Sequence, residues 1–219
     1  MSRLFTFLCL SLLFNLAQAQ LPTPEYKKGQ AILSGTIANY NPDDNLIFKI
    51  GAPNIVMGTA ETLYPTVEAD GSFTINIPLY HSAQVRMIIG NADLVILLSP
   101  EKETNVTINL SNLPGKQFVY SGQYATINNE WCQPELITKI PPVYSDGDLL
   151  DSIVGISANE FKKRCINQYK RYVTHNNAQL QFSEDTRTLA NLSCAFDCLE
   201  NLQATHYCLQ TAYQKKENI

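Results

Sequence analysis

The first half of the chain alternates apolar and polar residues with a period of two, which is the pattern of half-buried β-strands. The clearest case follows the turn signal Asp70-Gly71, where Phe73, Ile75 and Ile77 point to one face. A continuous apolar run from Leu94 to Leu98 instead indicates a strand buried on both faces. With the remaining segments, roughly seven or eight strands follow one another at the spacing typical of antiparallel sandwiches.

From residue 123 onward the period changes to about four, which predicts helices. The capping-box sequence Ser157 to Glu160 predicts a helix that runs to about His175. Ser183 opens a further helix. Its large apolar side chains form a face that needs a surface to pack against, namely Leu189, Leu192, Phe196, Leu199 and Leu202. The predicted fold class is therefore α+β, with an antiparallel β-sandwich at 31–122 followed by a small helical domain at 123–219.

The first residues have the organisation of a secretory signal peptide. Arg3 supplies the positive charge, Leu4 to Leu16 the apolar core, and Ala17-Gln18-Ala19 the small-x-small cleavage pattern, so residues 1–19 are predicted to be removed. The apolar core is too short to cross a bilayer, and Cys9 lacks the preceding residues of a lipoprotein signal. We therefore expect a periplasmic or secreted protein that is not integral to the membrane, with a linker at residues 20–30.

The charge balance argues against a nucleic-acid partner. The chain has 16 Lys and Arg against 20 Asp and Glu, a formal net charge of −4. Its one basic run, Lys162 to Arg164, is interpreted as the solvated side of a helix. We expect a protein partner, or self-association, through the helical region.

Cysteine is the main candidate for chemistry, and after signal cleavage every cysteine lies in the helical half. Export permits disulfides, but the odd number left in the mature chain requires at least one thiol without an intramolecular partner. Cys194 and Cys198 lie on one helix face with poor geometry for bonding each other, so pairing with another helix is the better alternative. Simple burial as free thiols remains open. The candidates for disulfides or free thiols are Cys132, Cys165, Cys194, Cys198 and Cys208.

No catalytic or cofactor motif is found in the sequence. Trp131-Cys132 resembles the start of a Trp-Cys-x-x-Cys redox site, but Glu135 replaces the second cysteine that resolves a mixed disulfide. The three histidines, His81, His175 and His206, have no ligand partners at metal-site spacing. We therefore predict a protein that is not an enzyme, with no catalytic residue, no metal site and no cofactor.

Two modification or binding features are also present. Asp151-Ser152-Ile153 resembles the acceptor pattern of some bacterial periplasmic O-glycosylation systems, which makes Ser152 a candidate glycosylation site. Secreted sandwiches often bind sugars by aromatic stacking, but the candidate tyrosines share no period, so core or edge positions are favoured for them. These residues are Tyr64, Tyr80, Tyr120 and Tyr124.

Several short motifs resemble the N-terminal half of periplasmic TlpA/ResA-type thioredoxin-like disulfide reductases. They span roughly residues 30 to 175, and include Leu33 to Ile37, Asp70 to Phe73, Leu97 to Pro100, Val106 to Ile108, Phe118 to Gly122 and Ile127 to Glu130. In that family a β-sandwich and helices precede a thioredoxin domain with the Trp-Cys-x-x-Cys site. The present sequence has no counterpart of that domain, so its active-site cysteines have no positions here.

Three functions follow as hypotheses. The resemblance implies a non-catalytic accessory or docking module, either a truncated reductase or a stand-alone relative of its N-terminal half. A surface glycan- or protein-binding sandwich is the alternative from another class. The third, a catalytic thiol protein that uses Cys194 and Cys198, is motivated only by the spacing of the two residues.

Overall fold

The computed structural model describes residues 26–54, 57–111, 118–131, 133–143 and 151–217, with side chains up to residue 214. The predicted signal peptide, the first part of the linker and Cys132 lie outside the described residues. The strands are β1 Gly29–Ile37, β2 Phe48–Asn54, β3 Thr59–Leu63, β4 Ser72–Leu79, β5 Ala83–Ile89, β6 Ala92–Leu98, β7 Glu103–Ile108 and β8 Phe118–Gly122. The helices are α1 Ala125–Trp131, α2 Ala158–Ala178, α3 Glu184–Gln203 and α4 Thr205–Glu217.

The eight strands form two four-stranded sheets, ordered β4-β1-β7-β8 and β3-β2-β5-β6. The predicted α+β fold with a β-sandwich is therefore confirmed. All strand pairs are antiparallel except β1 with β7, which run parallel with Gly35 opposite Val106. The alternating residues of both sheets meet in one core, where the rings of Phe48 and Phe73 pack edge to face at a centroid distance of 4.9 Å.

The predicted double burial is found at Ile96 to Leu98, where helices lie on the outer face of β6, whereas Leu94 and Val95 are half-buried. Ile96 and Leu98 face the sandwich core. Leu97 lies on the other face, in a small gap that is also lined by Val95, Ile127, Trp131 and Leu189. The helical region thus covers one edge of the sandwich, because β6 presents apolar residues on both sides.

Helix α1 connects both sheets through two consecutive asparagines. The Asn128 side chain accepts a hydrogen bond from the Leu97 main-chain N–H at 2.7 Å and donates to the Leu97 carbonyl at 3.1 Å. The Asn129 side chain pairs in the same way with the main chain of Tyr120, at 2.8 and 2.9 Å. Since β6 and β8 are edge strands of different sheets, α1 satisfies an open edge of each.

The next residue, Glu130, links α1 to the start of α3. Its carboxylate accepts hydrogen bonds from the Ser183 N–H at 3.0 Å and from the Ser183 hydroxyl at 2.7 Å. The Thr186 hydroxyl donates to the same oxygen at 2.5 Å. A negative charge at a helix N-terminus is favourable, because the first N–H groups have no partner within the helix. Ser183 itself is the N-cap, as predicted.

An extended segment, residues 137–143, lies against α2 and α3 and is held by amide and carboxylate side chains. The Asn176 side chain accepts a hydrogen bond from the Ile137 main-chain N–H at 3.0 Å and donates one to the Ile137 carbonyl at 2.8 Å. Asp197 accepts from the Ile140 N–H, and Asn201 from the Val143 N–H. These side chains satisfy main-chain groups that a β-strand would satisfy with a neighbouring strand. The contacts place Ile140 and Val143 in the helical core.

Candidate functional site

A cleft of about 330 Å³ lies between α2 and the segments that hold Val143 and Ile153. Its floor is apolar and consists of buried side chains, Val143, Ile153 and Phe161, with Cys165 beside them. Its rim is polar and consists of Ser152, Arg164, Asn167, Gln168 and Arg171. An apolar floor with a few convergent polar groups is the usual composition of a small-molecule site.

The two arginines of the rim are positioned by the helix. Arg164 and Arg171 are seven residues apart on α2, so they project from the same face two turns apart. One nitrogen of Arg164 donates to the Ser152 carbonyl at 2.9 Å, and its Nε lies 3.4 Å from a Glu160 carboxylate oxygen. These contacts use two of the five donors of the guanidinium and leave the others available.

The sequence does not predict this cleft. The run from Lys162 to Arg164 has the pattern of the solvated side of a helix, and all three residues are indeed exposed. The spacing of Arg164 and Arg171 was the available signal. The apolar floor also needs Val143 and Ile153, which lie outside the helix. Tertiary packing places them against α2, and no local sequence pattern predicts that contact.

Four of the predicted cysteines lie in the helical core beside the cleft. Cys165, Cys194, Cys198 and Cys208 are buried in one hydrophobic cluster, and the thiols of the first three are free. The Cys198 thiol lies 3.7 Å from the Cys165 carbonyl oxygen, so α3 places it directly against α2. The Cys194 thiol donates to the Ile137 carbonyl at 3.3 Å. The fifth candidate, Cys132, is not among the described residues, and the disulfide alternative stays a prediction.

Burial makes these thiols poor nucleophiles. It raises the pKa of Cys165 from an ordinary 9.0 to about 11, and the neighbouring Cys198 and Cys208 add to the shift. Burial, followed by the negative charge of Asp197, raises the pKa of Cys194 likewise to about 11. Burial also raises the pKa of Cys198. A reactive thiol needs a lowered pKa, because the thiolate is the attacking species, so the geometry gives no support to a catalytic pair at 194 and 198.

This environment predicts slow thiol chemistry in the folded protein. At pH 8 the raised pKa values leave roughly 100-fold less thiolate at Cys165 and Cys194 than at a solvated thiol, and burial slows access further. We expect Ellman's reagent to label these two residues at least roughly 100-fold more slowly than a small-molecule thiol, and rapidly in guanidinium chloride. Labelling sites would be assigned by mass spectrometry. Rapid native labelling of Cys165 or Cys194 would contradict the prediction.

Three of the five apolar side chains predicted to form one face of α3 point to solvent, whereas Leu189 and Leu202 are half-buried. Leu192, Phe196 and Leu199 are 46%, 70% and 52% exposed, and their spacing places them on one stripe of the helix. We call these three residues the α3 stripe. The buried face of α3 consists instead of small or polar residues, namely Thr186, Ala190, Cys194, Cys198 and Asn201.

Two of the histidines bond to main-chain carbonyls, and Tyr120 and Tyr64 lie in different environments. His175 Nε2 lies 2.8 Å from the Glu135 carbonyl, and His81 Nδ1 lies 2.7 Å from the Ser82 carbonyl. Within the described ranges, no group of three His, Cys, Asp or Glu residues could hold a metal ion. Tyr120 is buried in the sandwich core whereas Tyr64 is 72% exposed, so these two tyrosines cannot share a binding platform.

Ser152, the candidate glycosylation site, is exposed at the rim of the cleft. A glycan there would stand at the mouth of the cleft beside Arg164. The modification itself stays a prediction.

Comparison of the chain with protein-family models, with curated proteins and with solved structures finds no match in any of the three. The resemblance to TlpA/ResA-type reductases therefore rests on the short sequence motifs alone. Among the helices that the structure describes, none is both long enough and apolar enough to cross a membrane.

Proposed function

We propose that this protein is an exported, non-catalytic accessory module that docks another polypeptide through its helical region. The observation that carries the proposal is the α3 stripe. Three large apolar side chains at helical spacing face solvent, while the opposite face of the same helix is fully used by the core. Contiguous exposed apolar side chains mark sites of protein association, since each costs free energy in water.

The surroundings of the stripe also support a protein partner. The exposed acidic residue Glu200 lies on α3 beside the stripe, and a polar rim around an apolar centre is the usual organisation of such interfaces. The helix is held firmly, because Glu130 caps its start and Asp197 and Asn201 bind the extended segment beside it. A rigid surface loses little conformational entropy when it binds. The resemblance to the N-terminal half of a disulfide reductase suggests a redox protein as the partner.

Site-specific photo-crosslinking in the exporting host tests this proposal. A photoreactive phenylalanine analogue would replace Phe196, and the matched control would carry it at Leu180, which is 78% exposed and lies outside the stripe. We expect a discrete cross-linked species from position 196 that Leu192→Ser strongly reduces. Mass spectrometry of the species distinguishes a second copy of the chain from another protein.

The same experiment has a clear contrary outcome. Equal cross-linking from positions 180 and 196, or none from 196, would show that the stripe is ordinary exposed surface. Circular dichroism of Leu192→Ser serves as the folding control, because an exposed leucine on a helix contributes little to stability.

A further inference from the structure

We propose that the cleft beside α2 binds a small carboxylate that carries an apolar body, of the size of a medium-chain fatty acid. This inference goes beyond the docking function, since it concerns a different surface. At about 30 Å³ for each water, the cleft of about 330 Å³ has room for about ten waters, which suits one small molecule.

The floor of the cleft selects the apolar part of the ligand. Val143, Ile153 and Phe161 are 6%, 4% and 1% exposed and belong to the helical core, so the inner end of the cleft is closed by tightly packed apolar side chains. A sugar or a free phosphate would leave its polar groups unpaired against these side chains, at a cost in free energy. An alkyl or phenyl group would be favourable there, because it removes its own apolar surface from water.

The rim of the cleft selects the anionic part. Among the described residues that line it, none is acidic, and two are arginines. The Arg171 side chain is exposed and has no hydrogen bond or ion pair with a described residue, whereas the Ser152 carbonyl and the Glu160 carboxylate orient Arg164. A guanidinium presents paired donors that match the two oxygens of a carboxylate.

The charge of the helix supports the same ligand class. α2 contains five lysines and arginines, Lys162, Lys163, Arg164, Lys170 and Arg171, and a single acidic residue, Glu160. This concentration of positive charge occurs in a chain with a net charge of −4. This positive charge favours an anion beside the helix, although exposed Asp151 precedes the rim residue Ser152.

Calorimetric titration of the purified mature protein with octanoate tests the proposal, with octanol as the uncharged ligand of matching chain length. We expect octanoate to bind with one site, and octanol to bind roughly 10-fold or more weakly. Arg171→Gln should weaken octanoate binding roughly 10- to 100-fold, the usual effect of losing a charge-assisted hydrogen bond. It should leave octanol binding unchanged.

Lys163→Gln is the matched control, because Lys163 lies on the same helix, is exposed and does not line the cleft. The proposal requires it to retain nearly full octanoate affinity. It is overturned if octanoate does not bind at millimolar concentration, if octanol binds as well as octanoate, or if Lys163→Gln weakens binding as much as Arg171→Gln. Leu192→Ser should bind octanoate normally, so failure of the docking function and failure of the cleft are distinguishable.

Discussion

Gly35→Ala should lower the free energy of unfolding by at least about 3 kcal/mol, because the added methyl group has no space. A Cβ atom at this position would lie 2.1 Å from the Val106 carbonyl oxygen and 3.0 Å from the side chains of Phe73 and Val106. The carbonyl belongs to the neighbouring strand β7, which pairs in parallel with β1 at this point. Relief therefore requires the two central strands of the sheet to move apart.

Urea denaturation followed by tryptophan fluorescence or circular dichroism measures the change, and Gly51→Ala is the matched control. Gly51 also lies within a strand, β2, but its nearest neighbour would be the Arg86 Cβ at 3.7 Å, an ordinary contact. We expect Gly51→Ala to stay within about 1 kcal/mol of the parent protein, with a small gain because alanine restricts the unfolded chain. Similar stabilities for the two variants would mean that β1 and β7 do not approach as closely as described.

Local pattern was sufficient to predict the strands because the signal for each is contained within a few residues. The turn at Asp70-Gly71 is confirmed, with Gly71 at φ 83° and the Asp70 carboxylate accepting the Ser72 N–H at 2.9 Å. Phe73 and Ile77 of β4 are buried as predicted. The parallel pairing of β1 with β7 was not predictable in this way, because it joins segments about seventy residues apart. No local sequence pattern in either strand indicates its partner.

Helix α3 shows where hydrophobic periodicity is not enough. Its large apolar residues recur at helical spacing, and this pattern predicts that they pack against the core. In the structure the core side of the helix is instead lined by Ala190, Cys194 and Cys198. Small side chains are required there because the extended segment 137–143 passes close to the helix and needs hydrogen bonds from Asp197 and Asn201. Asp197 and Asn201 are visible in the sequence, but the sequence does not indicate which segment they bind.

The candidate cleft was beyond sequence reasoning for the same reason. Its arginines are part of a helical pattern that looks solvated, and its floor comes from Val143 and Ile153, which precede the helix. Burial as free thiols is one of the two predicted alternatives, and free cysteine is among the most buried residue types. The structure adds that three helices contribute to the same cluster, α2 with Cys165, α3 with Cys194 and Cys198, and α4 with Cys208.

Asn128→Ala should lower the free energy of unfolding by about 2 to 5 kcal/mol, because it leaves both main-chain groups of Leu97 without a partner in a dry environment. Asn128 is only 1% exposed, so water cannot readily replace its amide. The matched control is Asn129→Ala, which breaks the equivalent pair with Tyr120 on the other sheet. Asn129 is only partly buried, so solvent can restore those bonds, and we expect a loss of about 1 kcal/mol.

Asn128→Asp separates loss of hydrogen bonds from loss of packing, since it preserves the shape of the side chain. An ionised carboxylate still accepts from the Leu97 N–H but meets the Leu97 carbonyl oxygen where the amide donated. Burial and this contact favour the protonated acid, so the pKa of the new carboxyl should be raised in the folded state. A raised pKa means that the folded protein holds a proton that the unfolded chain has released, so stability relative to the parent recovers as pH falls.

Urea denaturation of the parent and of Asn128→Asp at pH 7 and pH 5 measures this difference. We expect a deficit of about 2 kcal/mol or more at pH 7 that narrows at pH 5, whereas the deficit of Asn128→Ala stays constant. A deficit of Asn128→Asp that is independent of pH would show that the side chain does not face the Leu97 carbonyl. Because α1 joins the edge strands of both sheets to the start of α3, such a result would also remove the main support for a fixed placement of the helical region on the sandwich.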